Sequence, residues 1–146
     1  MNARTDLRAL VDHIPYARFL GMQAELAGDE VTGILPYADH LVGNPHLPAL
    51  HGGVIGAFME LTAVLQLTVA QGAGRQPLPI DVTVEYLRSG KPKITFARAS
   101  IKRVGRRVAN VQVEAWQEAR GNPIAFLRGH FNVADLAERE TLISAP

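Results

Sequence analysis

The sequence contains no cysteine. That excludes a disulfide scaffold, a zinc site held by thiolates, and thiol catalysis. It also lacks an excess of either charge, with 15 Lys and Arg against 14 Asp and Glu. A dedicated nucleic-acid binder would usually be strongly basic, so a nucleic-acid partner is not expected. No HxxxH, paired-carboxylate or phosphate-loop motif occurs, which argues against metal-dependent and nucleotide hydrolysis. His13, His40 and His46 show no metal-ligand spacing. Near the N-terminus Asp6 and Asp12 interrupt any apolar block, so no signal peptide is read there. Residues 52–70 are weakly polar but contain Glu60 and Gln66, and they do not read as a membrane span. Repeats and linker-like segments are missing too. These absences lead to the expectation of one cytoplasmic domain over residues 1–146, with no membrane partner.

What is present is apolar mass. Hydrophobic residues make up 47% of the 146 and charged residues 20%, enough for a folded core and too apolar for disorder. Thr5 or Asp6 can cap a short helix through about His13, ended by Pro15. A hairpin follows, Met22–Ala27 and Glu30–Tyr37, around the turn Gly28-Asp29. His40–Leu50, with two prolines and a glycine, is expected to be an irregular loop. The one strong helix runs from Gly52 to about Gln71, where Gly72-Ala73-Gly74 stops it. Four strands come next: Leu78–Leu87, Ile94–Val104, Arg107–Gln117 and Pro123–Val133. Their apolar and polar positions alternate, as in an antiparallel sheet with one covered face. The long helix is apolar nearly all round, so the sheet must wrap it. Asp135–Pro146 is read as a tail with at most a short helix.

One charge stands out. Between His51 and Arg75 the only charged residue is Glu60. Its helical neighbours at three and four positions are Gly56, Ala57, Ala63 and Val64, and none can pair with it. Burying a lone carboxylate costs several kcal/mol or raises its pKa. It could share a solvent-facing stripe with Gln66, but six helical positions separate them by about 120° of rotation. The sharper reading is a carboxylate in a water-poor cleft, where small neighbours leave space for a ligand.

His51-Gly52-Gly53 opens the same helix. Helix N-termini expose unpaired N–H groups and partial positive charge, and glycines let a substrate oxygen approach the backbone. That combination suits the oxyanion of an acyl carbonyl. Gly52 and Glu60 are separated by roughly 12 Å along one helix, at about 1.5 Å per residue. A carbonyl held by the N–H and attacked with help from the carboxylate must be close to both. One chain cannot easily supply the two groups, whereas two antiparallel copies of the helix can. The site is therefore expected at a two-fold dimer interface.

The segments NPHLPALHGGVIGAFMELTAV, PLPIDVTVEYLRSGKP, IKRVGRRVANVQVEAW and PIAFLRGHFNV resemble the hotdog-fold acyl-CoA thioesterases of the phenylacetate-degradation type. The likeness covers roughly Ile14 to Val133. It implies an α+β hotdog fold, an antiparallel sheet of five to six strands around one long central helix. It also implies homodimers joined sheet edge to sheet edge, often paired into homotetramers. Gly52 N–H would polarise the thioester carbonyl, and Glu60 of the partner chain would act as nucleophile or general base. Asn44 matches an asparagine that touches the thioester or the catalytic water, and His51 would orient the loop or hydrogen-bond near the carbonyl, or else only cap and pack the helix. Gly53 and Gly56 would line the substrate. A family Ser or Thr near the start of the following strand has no counterpart, since Pro79 stands there with Asp81 and Thr83 nearby.

Arg103, Arg106 and Arg107, with Lys102, surround Gly105, while Arg88 and Lys91 flank another turn. Either group could meet the diphosphate and 3′-phosphate of coenzyme A, or simply solvate a hairpin end. Arg128 and His130 share a polar strand face and are assigned to a surface or an interface. Tyr86 and Trp116 are read as sheet-face aromatics. No cofactor is expected, coenzyme A being part of the substrate. Two rivals to hydrolysis stay open, a hotdog enoyl-CoA hydratase or dehydratase and a non-catalytic acyl-CoA binder.

Overall fold

The computed structural model describes residues 6–72 and 75–144. Helix α1 (Leu7–Asp12) begins where Asp6 caps it by accepting from Ala9 N–H at 3.2 Å. Thr5, the other candidate cap, lies outside the described residues, as do Ala73 and Gly74 of the expected helix stop. Pro15 ends α1 but also opens a second helix, α2 (Pro15–Leu20), which the sequence reading missed. Proline is well suited to the first helical position, where an N–H would have no partner. Strands β1 (Gln23–Ala27) and β2 (Glu30–Leu35) then form the expected hairpin.

The segment expected to be an irregular loop is ordered. A 3₁₀ turn (Asp39–Leu41) leads into two short paired strands, β3 (Val42–Asn44) and β4 (Ala49–Leu50). Pro45 and Pro48 sit between the paired segments, where no ladder N–H is required of them. Helix α3 (Gly52–Gln71) follows with the expected bounds. The remaining strands are β5 (Leu78–Tyr86), β6 (Thr95–Val104), β7 (Val108–Trp116) and β8 (Ala125–Asn132), and helix α4 (Leu136–Ser144) closes the described chain.

Six strands form one antiparallel sheet in the order β1-β2-β6-β7-β8-β5. The sheet carries α3 on one face. Ala109, Val111, Val113 and Ala115 of β7 and Ala125, Leu127 and Phe131 of β8 point toward it and are buried. From α3 itself, Phe58, Met59, Leu65 and Leu67 are fully buried in the same core. The helix is long and apolar enough to cross a membrane, but it serves here as the core helix. It approaches the sheet closely at Gly33 of β2, where any Cβ would collide with Thr62 Oγ1 and crowd Phe58.

Gln66 does not share a solvent-facing stripe with Glu60. It is buried, accepts from Val31 N–H at 2.9 Å and donates to the Asp29 carbonyl at 2.8 Å. The C-terminal half of α3 is thereby tied to the β1–β2 turn.

The two edges of the sheet differ. α1 packs along β1. β5 has β8 on one side and no described strand on the other. Register places Val82, Val84 and Tyr86 opposite Gly129, Leu127 and Ala125, on the face that carries α3. Yet Val82 is 37% exposed and Tyr86 53%. α3 lies mainly over β2, β6 and β7, so this part of the apolar face is open.

Candidate active site

The start of α3 is held by short-range bonds. His51 is the N-cap, and its Nδ1 accepts from Gly53 N–H at 2.9 Å. The His51 N–H donates to the Leu41 carbonyl, and the His51 carbonyl accepts from Val54 and Ile55. Gly43 of β3 packs directly against His51, so the small hairpin braces the cap. Among the described residues no acceptor is found for Gly52 N–H. It lies at the other end of the peptide whose carbonyl enters the first turn, and so it points out of the helix.

The sequence reading missed Tyr86 as part of this site. Its hydroxyl donates to the Gly52 carbonyl at 2.6 Å. A Cβ on Gly52 would come within 3.3 Å of the Tyr86 ring, and one on Gly56 within 3.4 Å of its hydroxyl. Gly56 was expected to leave space for substrate, whereas Tyr86 and Val84 fill the space beside it. The available signal was the Gly52/Gly56 pair, four positions apart on a helix, which marks a close approach without naming what approaches.

Glu60 lies two turns further along α3 and is half-buried. No hydrogen bond or ion pair reaches it among the described residues. Burial pushes its carboxyl pKa above the usual value. One chain leaves Glu60 about 12 Å along the helix from Gly52, as expected from the rise.

The other predicted residues are divided. Asn44 is exposed at the end of β3, and its Oδ1 accepts from His46 N–H at 3.0 Å, closing its own loop. It follows Gly43 and is therefore near the cap. Gly53 N–H is already taken by His51 and is not a free donor. Arg88 lines a cleft of about 330 Å³ with Lys91 and Lys93, at the end of the sheet where α3 begins. There Gly90 packs on Ile55, and its carbonyl accepts from Leu50 N–H. Arg103, Arg106 and Arg107 line a separate cleft of about 390 Å³ at the β6–β7 turn. β6 separates the two groups by roughly 30 Å, at about 3.3 Å per residue. The structure brings Gly52, His51 and Arg88 to one end of the sheet and leaves the other three arginines at the far end.

Arg128 and His130 face away from α3, as expected of a polar strand face. Each pairs with a β5 carboxylate, His130 with Asp81 at 2.8 Å and Arg128 with Glu85 at 3.7 Å. Among the described residues no cluster of His, Asp and Glu could hold a metal ion.

Comparison with known proteins agrees with this architecture. Residues 47–124 match the model of the thioesterase superfamily. A curated relative, the medium/long-chain acyl-CoA thioesterase YigI of Escherichia coli K12, is 33% identical over 122 residues, covering 74% of this chain and 79% of its own. A crystal structure from Chromobacterium violaceum superposes with a TM-score of 0.71 at 36% identity, over 89% of this chain and 90% of that one. The Escherichia coli PaaI protein, from the phenylacetic acid degradation operon, shares the fold with a TM-score of 0.74 at 16% identity, over 86% and 88% of the two chains.

Proposed function

This chain belongs to the thioesterase superfamily of thioester hydrolases, and from that membership we propose that it cleaves acyl-CoA at a site completed by a second copy of itself. The observation that carries the reading is on α3. One helix offers an unclaimed N–H at Gly52 and an unpaired, half-buried carboxylate at Glu60, too far apart to act on one carbonyl.

A two-fold partner resolves the distance. Pairing β5 with its own copy runs the two strands antiparallel. The Leu78 end of one then meets the Tyr86 end of the other. Leu78 and Val108 both pair with Asn132, and Val133 N–H donates to the Arg107 carbonyl. The β6–β7 turn therefore belongs to the Leu78 end. Such a pairing carries Arg103, Arg106 and Arg107 of one copy toward the start of α3 in the other. There they can join Arg88 in binding the phosphates of coenzyme A. It also covers the open apolar face of Val82 and Tyr86.

The chemistry then follows from the groups. The thioester oxygen accepts from Gly52 N–H at the positive end of α3, which stabilises the tetrahedral oxyanion. In one route Glu60 of the other copy takes a proton from water as the water oxygen bonds to the carbonyl carbon. Collapse breaks the C–S bond, releasing the acid and coenzyme A thiolate, which takes up the proton. In the other route Glu60 attacks directly, and breaking the C–S bond expels coenzyme A thiolate and leaves a mixed anhydride. Water opens the anhydride to the free acid and the Glu60 carboxylate, with the water's other proton going to the thiolate. Asn44, next to the Gly43 that braces the cap, is the residue we assign to steady the water or the thioester. Coenzyme A enters only as part of the substrate. By kinship with the Escherichia coli relative, medium or long acyl chains are the substrates we expect to be turned over best.

Thiol release across an acyl-CoA panel tests the reading, with wild type beside Glu60→Gln. The cysteine-free chain adds no background to a thiol reagent. Wild type should turn over medium or long chains, and Glu60→Gln should lose at least ~10²-fold in kcat, as acid–base groups typically supply. Binding without release from any substrate would make the protein an acyl-CoA binder instead.

A further inference from the structure

Two hydrogen bonds converge on one peptide. The carbonyl of the Gly52–Gly53 peptide accepts from the Tyr86 hydroxyl at 2.6 Å, and its N–H donates to His51 Nδ1 at 2.9 Å. The peptide is flanked by two glycines, the residue type with the least conformational restraint. It also lies in a first helical turn, where the chain has not yet enough internal bonds to fix itself. Tyr86 is 34 residues away, at the end of β5, so the restraint comes from the sheet and not from the helix.

The peptide before it is held as well. Its carbonyl, that of His51, accepts from Val54 and Ile55 N–H, and one peptide further back the His51 N–H donates to the Leu41 carbonyl. The Gly52 Cα therefore joins two restrained peptides, and the direction of Gly52 N–H follows from both. We propose that Tyr86 and His51 are positioning residues that clamp the Gly52–Gly53 peptide from opposite sides and so aim Gly52 N–H at the thioester oxygen. This rests on the reading of Gly52 as the oxyanion donor. A donor of that kind must be held within about 0.5 Å and 10–20° of its productive geometry, and a pair of glycines cannot do so unaided. Accepting from Gly53 also fixes the imidazole tautomer, with Nδ1 bare and the proton on Nε2.

Tyr86→Phe is the decisive variant, because it keeps the ring over Gly52 and Gly56 and removes only the hydroxyl. The clamp predicts a kcat loss of ~10-fold, a fraction of the 10²–10³ for a deleted oxyanion donor, with KM within about twofold. His51→Ala should behave alike, and His51→Asn, which keeps a capping oxygen, should recover most of kcat. The double variant Tyr86→Phe/His51→Ala should lose less than the product of the single losses, since both release the same peptide. Hydrogen exchange at the Gly53 amide gives a readout independent of turnover, protected in wild type and faster in both single variants. Wild-type kcat in Tyr86→Phe, a loss confined to KM, or unchanged Gly53 exchange would each overturn the clamp. Glu60→Gln separates the two ideas. If it is inactive while Tyr86→Phe is fully active, only the clamp falls. If Glu60→Gln is fully active, the reading of the site falls and takes the clamp with it.

Discussion

Glu60 is held in a setting that favours its neutral form. Burial raises its pKa, and no described cation offsets the effect. The native state thus binds the Glu60 proton more tightly than the unfolded chain does. Between the unfolded and the raised native value, stability falls as pH rises, and it stays lower above that window. Glu60→Gln removes the penalty, so the variant should melt higher than wild type at pH 8. The two melting temperatures should converge below the ordinary carboxylate range. A variant that melts lower at pH 8 would mean that the anion has a stabilising partner. The same shift sets the pH profile. A carboxylate that acts as base must be ionised, so the acid limb of kcat should lie above the usual carboxylate range. Glu60 was legible in the sequence because it is one charge in an apolar helix. Tyr86 was not, because its partner is remote in the chain and its strand reads like any other.

Elements were legible where their pattern had one interpretation. α3 and β5 to β8 have long, regular apolar spacing, and each appears close to its expected bounds. α2 and the β3–β4 hairpin were missed because proline has more than one meaning. Pro15 ends one helix and starts the next, while Pro45 and Pro48 sit outside the paired residues. Gln66 shows the same ambiguity within an element. A glutamine on a helix suggests solvent, yet this one binds the β1–β2 turn through Val31 and Asp29. Replacing it with Leu leaves the N–H of the fully buried Val31 without an acceptor. Such a loss costs about 1–3 kcal/mol. Chemical denaturation should find Gln66→Leu less stable by that order, with turnover per folded molecule unchanged. Equal stability would mean that another group accepts from Val31.

At the scale of the whole molecule, the proposed pairing of two copies would account for two features of one chain. Among the described residues its sheet ends in an uncovered strand with Leu78, Ile80, Val82 and Tyr86 exposed, and its two candidate catalytic groups are separated along one helix. A composite site makes a prediction that a site within one chain cannot. Gly52→Pro deletes the N–H at the first helical position, where proline is otherwise well tolerated. The preceding His51 already has the extended backbone, at φ −60° and ψ 131°, that a residue before proline adopts. The new ring must press on Tyr86, 3.3 Å from where its Cβ would lie, so folding is checked by melting before assay. Gly52→Pro and Glu60→Gln should each be inactive as homodimers. In a mixed dimer, one site inherits both lesions and the other inherits neither. Random exchange makes half of the dimers mixed, each with one intact site, so the mixture should regain about a quarter of wild-type activity. If Gly52 and Glu60 served the same site from one chain, every site in the mixture would carry a lesion. Activity that stays absent after verified subunit exchange would therefore refute the shared site.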